Sequence, residues 1–309
     1  MRALVLAAGR GTRLRPLTDT IPKCLIPLSG GQTILSRQLD LLETAGIAEA
    51  VVVTGARAHL VDRYIADRCG QIRTRTVFNP IFASTNYLYS MFLAAPGCDQ
   101  DLLLLHGDLV FSGETLRRLM AAPHPSAVAV RLGHRTGRDF EGRLAGGRVV
   151  HIGVGLEGPN CHFLAPLYRL SRETARAWFG MIGRYVAQGN LTCYAEDALN
   201  ELLPGSVDLR SVDIGHSTCC EVDTHQDLAL LETVSATDQA EAKGMMQELL
   251  ARTQEGRGLA PAFLRDLLFS RRQAPSGILR VTFPSPASGL GVRRCGAENP
   301  AAGTARSAS

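Results

Sequence analysis

An unbroken apolar run, Ala3-Leu-Val-Leu-Ala-Ala8, opens directly into Gly9-Arg-Gly11, and it constrains the fold more than any other feature of the chain. Apolar residues without polar alternation describe a strand buried on both faces. Such strands belong to parallel sheets covered by helices. The first 126 residues keep the same rhythm. Helices are predicted at Ile34–Ala45, Ala58–Arg68 and Asn86–Ala94. Strands are predicted at Glu49–Thr54, Thr74–Phe78 and Asp101–Leu105, the last ending in His106-Gly107-Asp108. This alternation predicts an α/β fold: a Rossmann-like, doubly wound sheet, mostly parallel or mixed. Open sheets of this kind bind ligands at the carboxyl ends of their strands. The Gly-rich loop and Asp108 both stand at such ends.

Beyond residue 126 the pattern changes. Short strands at Ala127–Leu132, Arg148–Gly153 and Cys161–Leu170 are joined by Gly-rich turns, followed by helices at Arg172–Gln188 and Cys193–Leu203. Strands at Val207–Asp213 and Cys219–Val222 close a unit expected to span residues 1–232, with halves 1–126 and 127–232. A helical extension is expected at 233–270. From 271 to 309 Ser, Pro, Gly, Ala and Arg dominate, a composition that predicts a flexible, disordered tail. The net charge of +4 is weak, and basic residues cluster only in that tail, which argues against a nucleic-acid partner. The apolar runs are too short for a membrane span. The eight cysteines are scattered without metal-type spacing, so unpaired thiols, a reducing compartment and a soluble cytoplasmic protein are expected. The sequence leaves a homodimer open.

The chemistry concentrates in Leu6-Ala7-Ala8-Gly9-Arg10-Gly11-Thr12-Arg13-Leu14-Arg15-Pro16-Leu17-Thr18, then Pro22-Lys23. Glycines after a strand let backbone N–H groups approach phosphate oxygens. Arg13 and Arg15 offer planar, bidentate phosphate contacts, and Lys23 a point charge. The GxxxxGK[ST] loop is absent, and Leu14 breaks the dinucleotide fingerprint. Arg15 also reads as a solvated loop residue. Asp108 reads either as a Mg²⁺ ligand or as a cap for the next helix, whose start is expected near Ser112.

The string LAAGxGTRLxPLT…PK resembles the opening of the sugar-phosphate nucleotidylyltransferases, densely over residues 3–28. The resemblance implies the nucleotide-diphospho-sugar transferase type of α/β fold. It also implies a loop (Leu6, Ala7, Ala8, Gly9, Gly11, Thr12 and Arg13) that wraps the phosphates of an NTP, with Arg13 and Lys23 as catalytic charges. Lys23 would also face the acceptor. Mg²⁺ is the implied cofactor, held by Asp108 and by Asp223 in Glu221-Val-Asp223-Thr-His-Gln-Asp227. Asp227 is expected on a helix, solvated.

Phe78-Asn79-Pro-Ile-Phe-Ala-Ser-Thr-Asn86-Tyr87-Leu-Tyr89-Ser90 narrows the resemblance to the phosphocholine and small-phosphonate cytidylyltransferase branch. There Asn79 and Asn86 lie by the nucleotide, although Asn79 also reads as a turn residue and Tyr87 and Tyr89 as core aromatics. Glu196 and Asp197 resemble that branch's acidic helix start facing the acceptor, or serve only the helix dipole. The branch often has lysines where this chain has Glu141 and Val154, which leaves Arg143 as the substitute. The expected activity is therefore Mg²⁺-dependent transfer of a nucleoside monophosphate, CMP from CTP, to phosphocholine or to an aminoethyl- or hydroxyalkylphosphonate, with release of pyrophosphate. A sugar-1-phosphate enzyme and a non-catalytic paralogue are the alternatives.

Overall fold

The computed structural model describes residues 1–28 and 31–231. The extension and tail expected at 233–309 lie outside the described residues. In chain order the elements are β1 (Arg2–Ala7), α1 (Ile34–Thr44), β2 (Glu49–Thr54), α2 (Ala58–Asp67), β3 (Arg73–Phe78), α3 (Tyr87–Ala94), β4 (Leu102–His106), β5 (Leu109–Phe111) and α4 (Gly113–Ala121). There follow β6 (Ala127–Arg131), β7 (Phe140–Ala145), β8 (Arg148–Val154), β9 (Cys161–Leu170), α5 (Arg172–Ala187), α6 (Ala195–Asn200), β10 (Arg210–Asp213) and β11 (Cys219–Glu221). Residues 225–231 are helical.

Nine strands form one mixed sheet in the order β3-β2-β1-β4-β9-β6-β10-β8-β7, and β7 also pairs with β9. The first four strands are mutually parallel. β9 runs antiparallel to both β4 and β6, so it joins the two halves into one sheet. Alternation along β1 divides the core. Leu4 and Leu6 pack with α3, α5 and α6 on one face, while Ala3, Val5 and Ala7 pack with α1, α2 and α4 on the other. This two-sided burial is why β1 reads as an unbroken apolar run.

Helix starts follow side-chain capping. Thr33 and Ser36 form a capping box at α1, Asn86 caps α3, Ser112 caps α4 and Ser171 caps α5. Two departures from the sequence reading matter. The strand expected from Val207 begins only at Arg210, and the helix expected over Cys193–Leu203 is confined to Ala195–Asn200. In addition β5, which follows Asp108 directly, pairs antiparallel with β11 in a separate two-stranded sheet. β11 matches the strand expected at Cys219–Val222, whereas β5, only three residues long, carries too little periodicity to announce itself.

Candidate active site

The strand order reverses between β1, which leads to β2 and β3, and β4 on its other side. A cleft opens at the carboxyl ends of these two strands, as expected at a topological switch point. It is lined by Leu6, Ala7, Ala8 and Gly9 from the end of β1, His106, Gly107 and Asp108 from the end of β4, Lys23 and Cys24, and the segment from Asn79 to Ser90. Glycine is demanded at Gly107, because a Cβ there would meet Ala7 Cβ at 2.8 Å and Ala7 Cα at 2.9 Å. Its N–H donates to Leu6 O at 2.9 Å, which ties the two strand ends together. Gly11 takes φ 62 and is packed against Thr18, whose hydroxyl donates to Gly11 O at 2.8 Å.

Asp108 and Asp223, 115 residues apart in sequence, meet through the small sheet. Glu221 pairs with Leu109, and Val222 N donates to Asp108 O at 3.0 Å. Lys23 Nζ lies 2.5 Å from Asp108 Oδ2 and 2.5 Å from Asp223 Oδ1. Arg13 Nη2 reaches Asp223 Oδ2 at 2.8 Å, and its side chain remains 67% exposed, free to turn toward an anion. Burial lowers the Lys23 pKa, but the two carboxylates more than offset this and hold it above its ordinary value. Burial raises Asp108 in turn, and the charges of Lys23 and His106 carry it below its ordinary value. Both groups are therefore held ionised. Ser112, not Asp108, caps α4.

The donor set suits a hard cation. Asp108 Oδ1 is buried without a hydrogen-bond partner, and Asp223, which shares Lys23 with Asp108, adds a second carboxylate. Two further groups border Asp108 that the sequence reading quoted without assigning a role. Ligand atoms of His106, Asp108 and Glu221 lie within 4.8 Å of one another, and His106 Nδ1 lies 3.2 Å from Glu221 Oε1. Burial pushes the Glu221 carboxyl up. His106 is lowered by burial and carried back above its ordinary value by Glu221. The signal available in the sequence was spacing. Each residue stands two positions ahead of a singled-out aspartate, the interval that returns a strand side chain to one face.

Gln38 is a third missed residue. It is buried in the apolar stripe of α1, and its Nε2 donates to His106 O at 2.8 Å and Leu109 O at 2.7 Å, the carbonyls that bracket Asp108. A polar residue among Leu35, Leu39 and Leu42 was the clue.

The structure brings Asn79 and Asn86 to the cleft wall and gives both local partners. Asn79 is buried, accepts from Ile81 N at 3.0 Å and donates to Thr85 Oγ1 and Ser90 Oγ. Asn86 accepts from Tyr87 N at 2.8 Å as the cap of α3. Thr12 lies in the loop after Gly11. Tyr87 stands against His106 with ring centroids 4.6 Å apart, and Tyr194 lies 6.0 Å from Tyr87 and 5.1 Å from Phe140.

Glu196 is 1% exposed, with one oxygen taking the Tyr87 hydroxyl and the other the Tyr168 hydroxyl at 2.9 Å. Asp197 is exposed and accepts from Tyr194 N at 2.9 Å at the start of α6. Arg143 is exposed on β7 and is not among the residues lining the cleft. Glu141 on the same strand is buried and accepts from Gly137 N at 3.1 Å. Asp227 is also buried, against the expectation of a solvated helix position. Among the described residues no helix is long and apolar enough to cross a membrane.

Comparison with known proteins agrees with this geometry. The chain is 41% identical over 129 residues to the CMP-5'-(3-aminopropyl)phosphonate synthase of Streptomyces rubellomurinus, covering 42% of this chain and 20% of that protein. It thus spans only a fifth of that relative's length. It is 27% identical over 245 residues to the 2-aminoethylphosphonate cytidylyltransferase of Lancefieldella rimae, covering 74% of this chain and 91% of the relative. The fold matches the CTP:phosphocholine cytidylyltransferase of Streptococcus pneumoniae with a TM-score of 0.64 at 21% identity, over 75% of this chain and 98% of that one. With residues 3–203 matching its profile, the chain belongs to the family described as the MobA-like NTP transferase domain.

Proposed function

We propose that the protein transfers CMP from CTP to a phosphate or phosphonate oxygen of a small acceptor, such as phosphocholine or an aminoalkyl- or hydroxyalkylphosphonate, and releases pyrophosphate. One observation carries this reading. The Lys23 ammonium is held 2.5 Å from each of two carboxylates, Asp108 and Asp223, at the mouth of a cleft whose wall begins in a Gly-rich loop. The Lys23 ammonium would meet the α-phosphate there, and Arg13 stands beside it for the β- and γ-phosphates.

The attacking oxygen is already ionised near neutral pH, so the chain need not supply a general base. Its task is placement and charge neutralisation. The loop from Leu6 to Arg13 holds the phosphates, Lys23 offsets charge developing at the α-phosphate, and Arg13 orients pyrophosphate for in-line departure. Mg²⁺ on Asp108 and Asp223 would supply Lewis-acid polarisation of the phosphoryl oxygens. At the acceptor end Tyr87, Tyr194 and Phe140 form an aromatic wall near the buried carboxyl group of Glu196, with Asp197 exposed beside it. An amine-bearing acceptor fits that combination, because aromatic faces and carboxylates both favour a cation. Relatives named for phosphonate substrates support the same choice.

The test is pyrophosphate release from CTP, UTP, dTTP, ATP and GTP, each offered phosphocholine, 2-aminoethylphosphonate, a hydroxyalkylphosphonate and hexose-1-phosphates. Turnover with CTP and a small phosphorus acceptor is expected. Turnover with UTP or dTTP and glucose-1-phosphate, and none with CTP, would overturn the branch while leaving nucleotidyl transfer standing.

A further inference from the structure

Asp223 lies on the turn that follows β11, and the peptide that orients it is gripped by one carboxylate. Asp227 is only 6% exposed. Its Oδ2 accepts three bonds from that turn: Asp223 N at 3.0 Å, Thr224 N at 2.7 Å and Thr224 Oγ1 at 2.9 Å. Its Oδ1 accepts from Arg138 Nη2 at 2.5 Å. Arg138 belongs to the connection between β6 and β7, residues 132–139, in the opposite half of the molecule from Lys23 and the Gly-rich loop. That connection turns at Gly133 and Gly137, with φ 73 and 70, and its far end is pinned where Gly137 N donates to the buried Glu141. On the other side, His225 Nε2 lies 2.9 Å from Arg15 O of the Gly-rich loop. The turn carrying Asp223 is thus held from both halves.

We propose that Arg138 is a positioning residue, which through Asp227 makes the orientation of Asp223 depend on the seating of the 132–139 connection in the acceptor half. The proposal rests on the reading of Asp223 as a metal carboxylate. Three hydrogen bonds to one carboxylate oxygen fix the turn's rotation. The Arg138 guanidinium holds Oδ1 and so keeps the carboxylate aimed at the turn. Without it, Oδ1 turns to water and the Asp223 peptide gains freedom. Partners that orient a metal ligand in this way are typically worth about 10- to 100-fold in metal affinity or activity. The arrangement would bring the metal carboxylate into line only when the acceptor-half loop is in place.

The experiment is a titration of the full-length protein with Mn²⁺ alone, with the free ion followed by its EPR signal, on wild type, Asp223→Asn, Arg138→Ala, Asp227→Asn and the Arg138→Ala/Asp227→Asn double variant. Asp223→Asn is expected to abolish the tight site. Arg138→Ala and Asp227→Asn are each expected to weaken it about tenfold. The double variant should lose no more than the worse single one, because both act through one contact. Arg138 is more than half exposed, so its removal leaves the core intact. If Asp223→Asn loses the ion while Arg138→Ala binds it as wild type does, the positioning role is wrong and the metal reading stands. If Asp223→Asn itself binds Mn²⁺ normally, both fall. Losses that add in the double variant would show two independent effects and overturn the coupling.

Discussion

Lys23 concentrates the chemistry on one atom. Its Nζ bridges Asp108 and Asp223 at the head of the cleft, and under the proposed function the same ammonium pairs with a phosphoryl oxygen. Lys23→Ala is expected to lower kcat roughly 10²- to 10³-fold, the usual loss for one preorganised electrostatic contact. Steady-state kinetics on a variant with unchanged circular dichroism decides the point, and near-normal turnover would dismiss the role. Cys24, the next residue, is buried, and burial pushes its thiol up to about 12. It is therefore a packing residue and not a nucleophile. At pH 7.5 iodoacetamide should label exposed Cys69 and spare Cys24 until the protein unfolds, as read by peptide mass mapping. Rapid labelling of Cys24 in the native protein would contradict the closed packing seen here. Lys23 is singled out in the sequence by its place in the Pro22-Lys23 pair of the motif that carries the family resemblance. Its two partners were legible singly. That one ammonium holds both was not, because one partner lies 200 residues away.

At the scale of elements, the cleft is built by what grips the loop after β4. α1 buries Leu35, Leu39 and Leu42 and, in the same stripe, Gln38, which crosses to the carbonyls of His106 and Leu109. Gln38→Leu keeps the volume nearly constant but leaves two buried carbonyls unpaired. It is expected to cost about 2–4 kcal/mol in urea unfolding and to raise the Mg²⁺ concentration needed for half-maximal rate. A change below about 0.5 kcal/mol would mean that water replaces the amide. Gly107 sets the distance between β1 and β4, with no room for a Cβ beside Ala7. Gly107→Ala should destabilise by about 1–3 kcal/mol through forced backbone movement and reduce kcat by displacing Asp108, as thermal unfolding and kinetics together would show. The long elements could be read from periodicity to within a residue or two. β11 is legible as the strand expected at Cys219–Val222, but three-residue β5 is not, and neither is the pairing of the two that joins the aspartates.

For the molecule as a whole, one strand decides the geometry. β9 runs antiparallel between β4 and β6 and fuses the first and second halves of the described chain into a continuous sheet. Charge neutralisation at a shared site then implies two wholesale properties. EDTA should abolish turnover and Mg²⁺ should restore it, as followed by pyrophosphate release, and full activity in metal-free buffer would remove the cation from the scheme. CTP should exceed UTP in kcat/KM by orders of magnitude, because a pocket that hydrogen-bonds the 4-amino group leaves buried polar groups unpaired with the wrong base. Comparable values for the two nucleotides would defeat the cytidylyl assignment. The sequence by itself determined the α/β class, the order of the long elements, the Gly-rich loop with its charges and the two aspartates, because each is local: a run of apolar residues, a spacing, a turn that demands glycine. Only the tertiary structure decided the rest. It placed Glu196 on two tyrosine hydroxyls, Arg138 on Asp227, Gln38 behind Asp108 and Arg143 away from the cleft. Those outcomes depend on which side chains a nine-stranded sheet brings together across 28 to 109 residues of chain, and on burial, which drives most enclosed polar groups to find a partner. No local pattern encodes that.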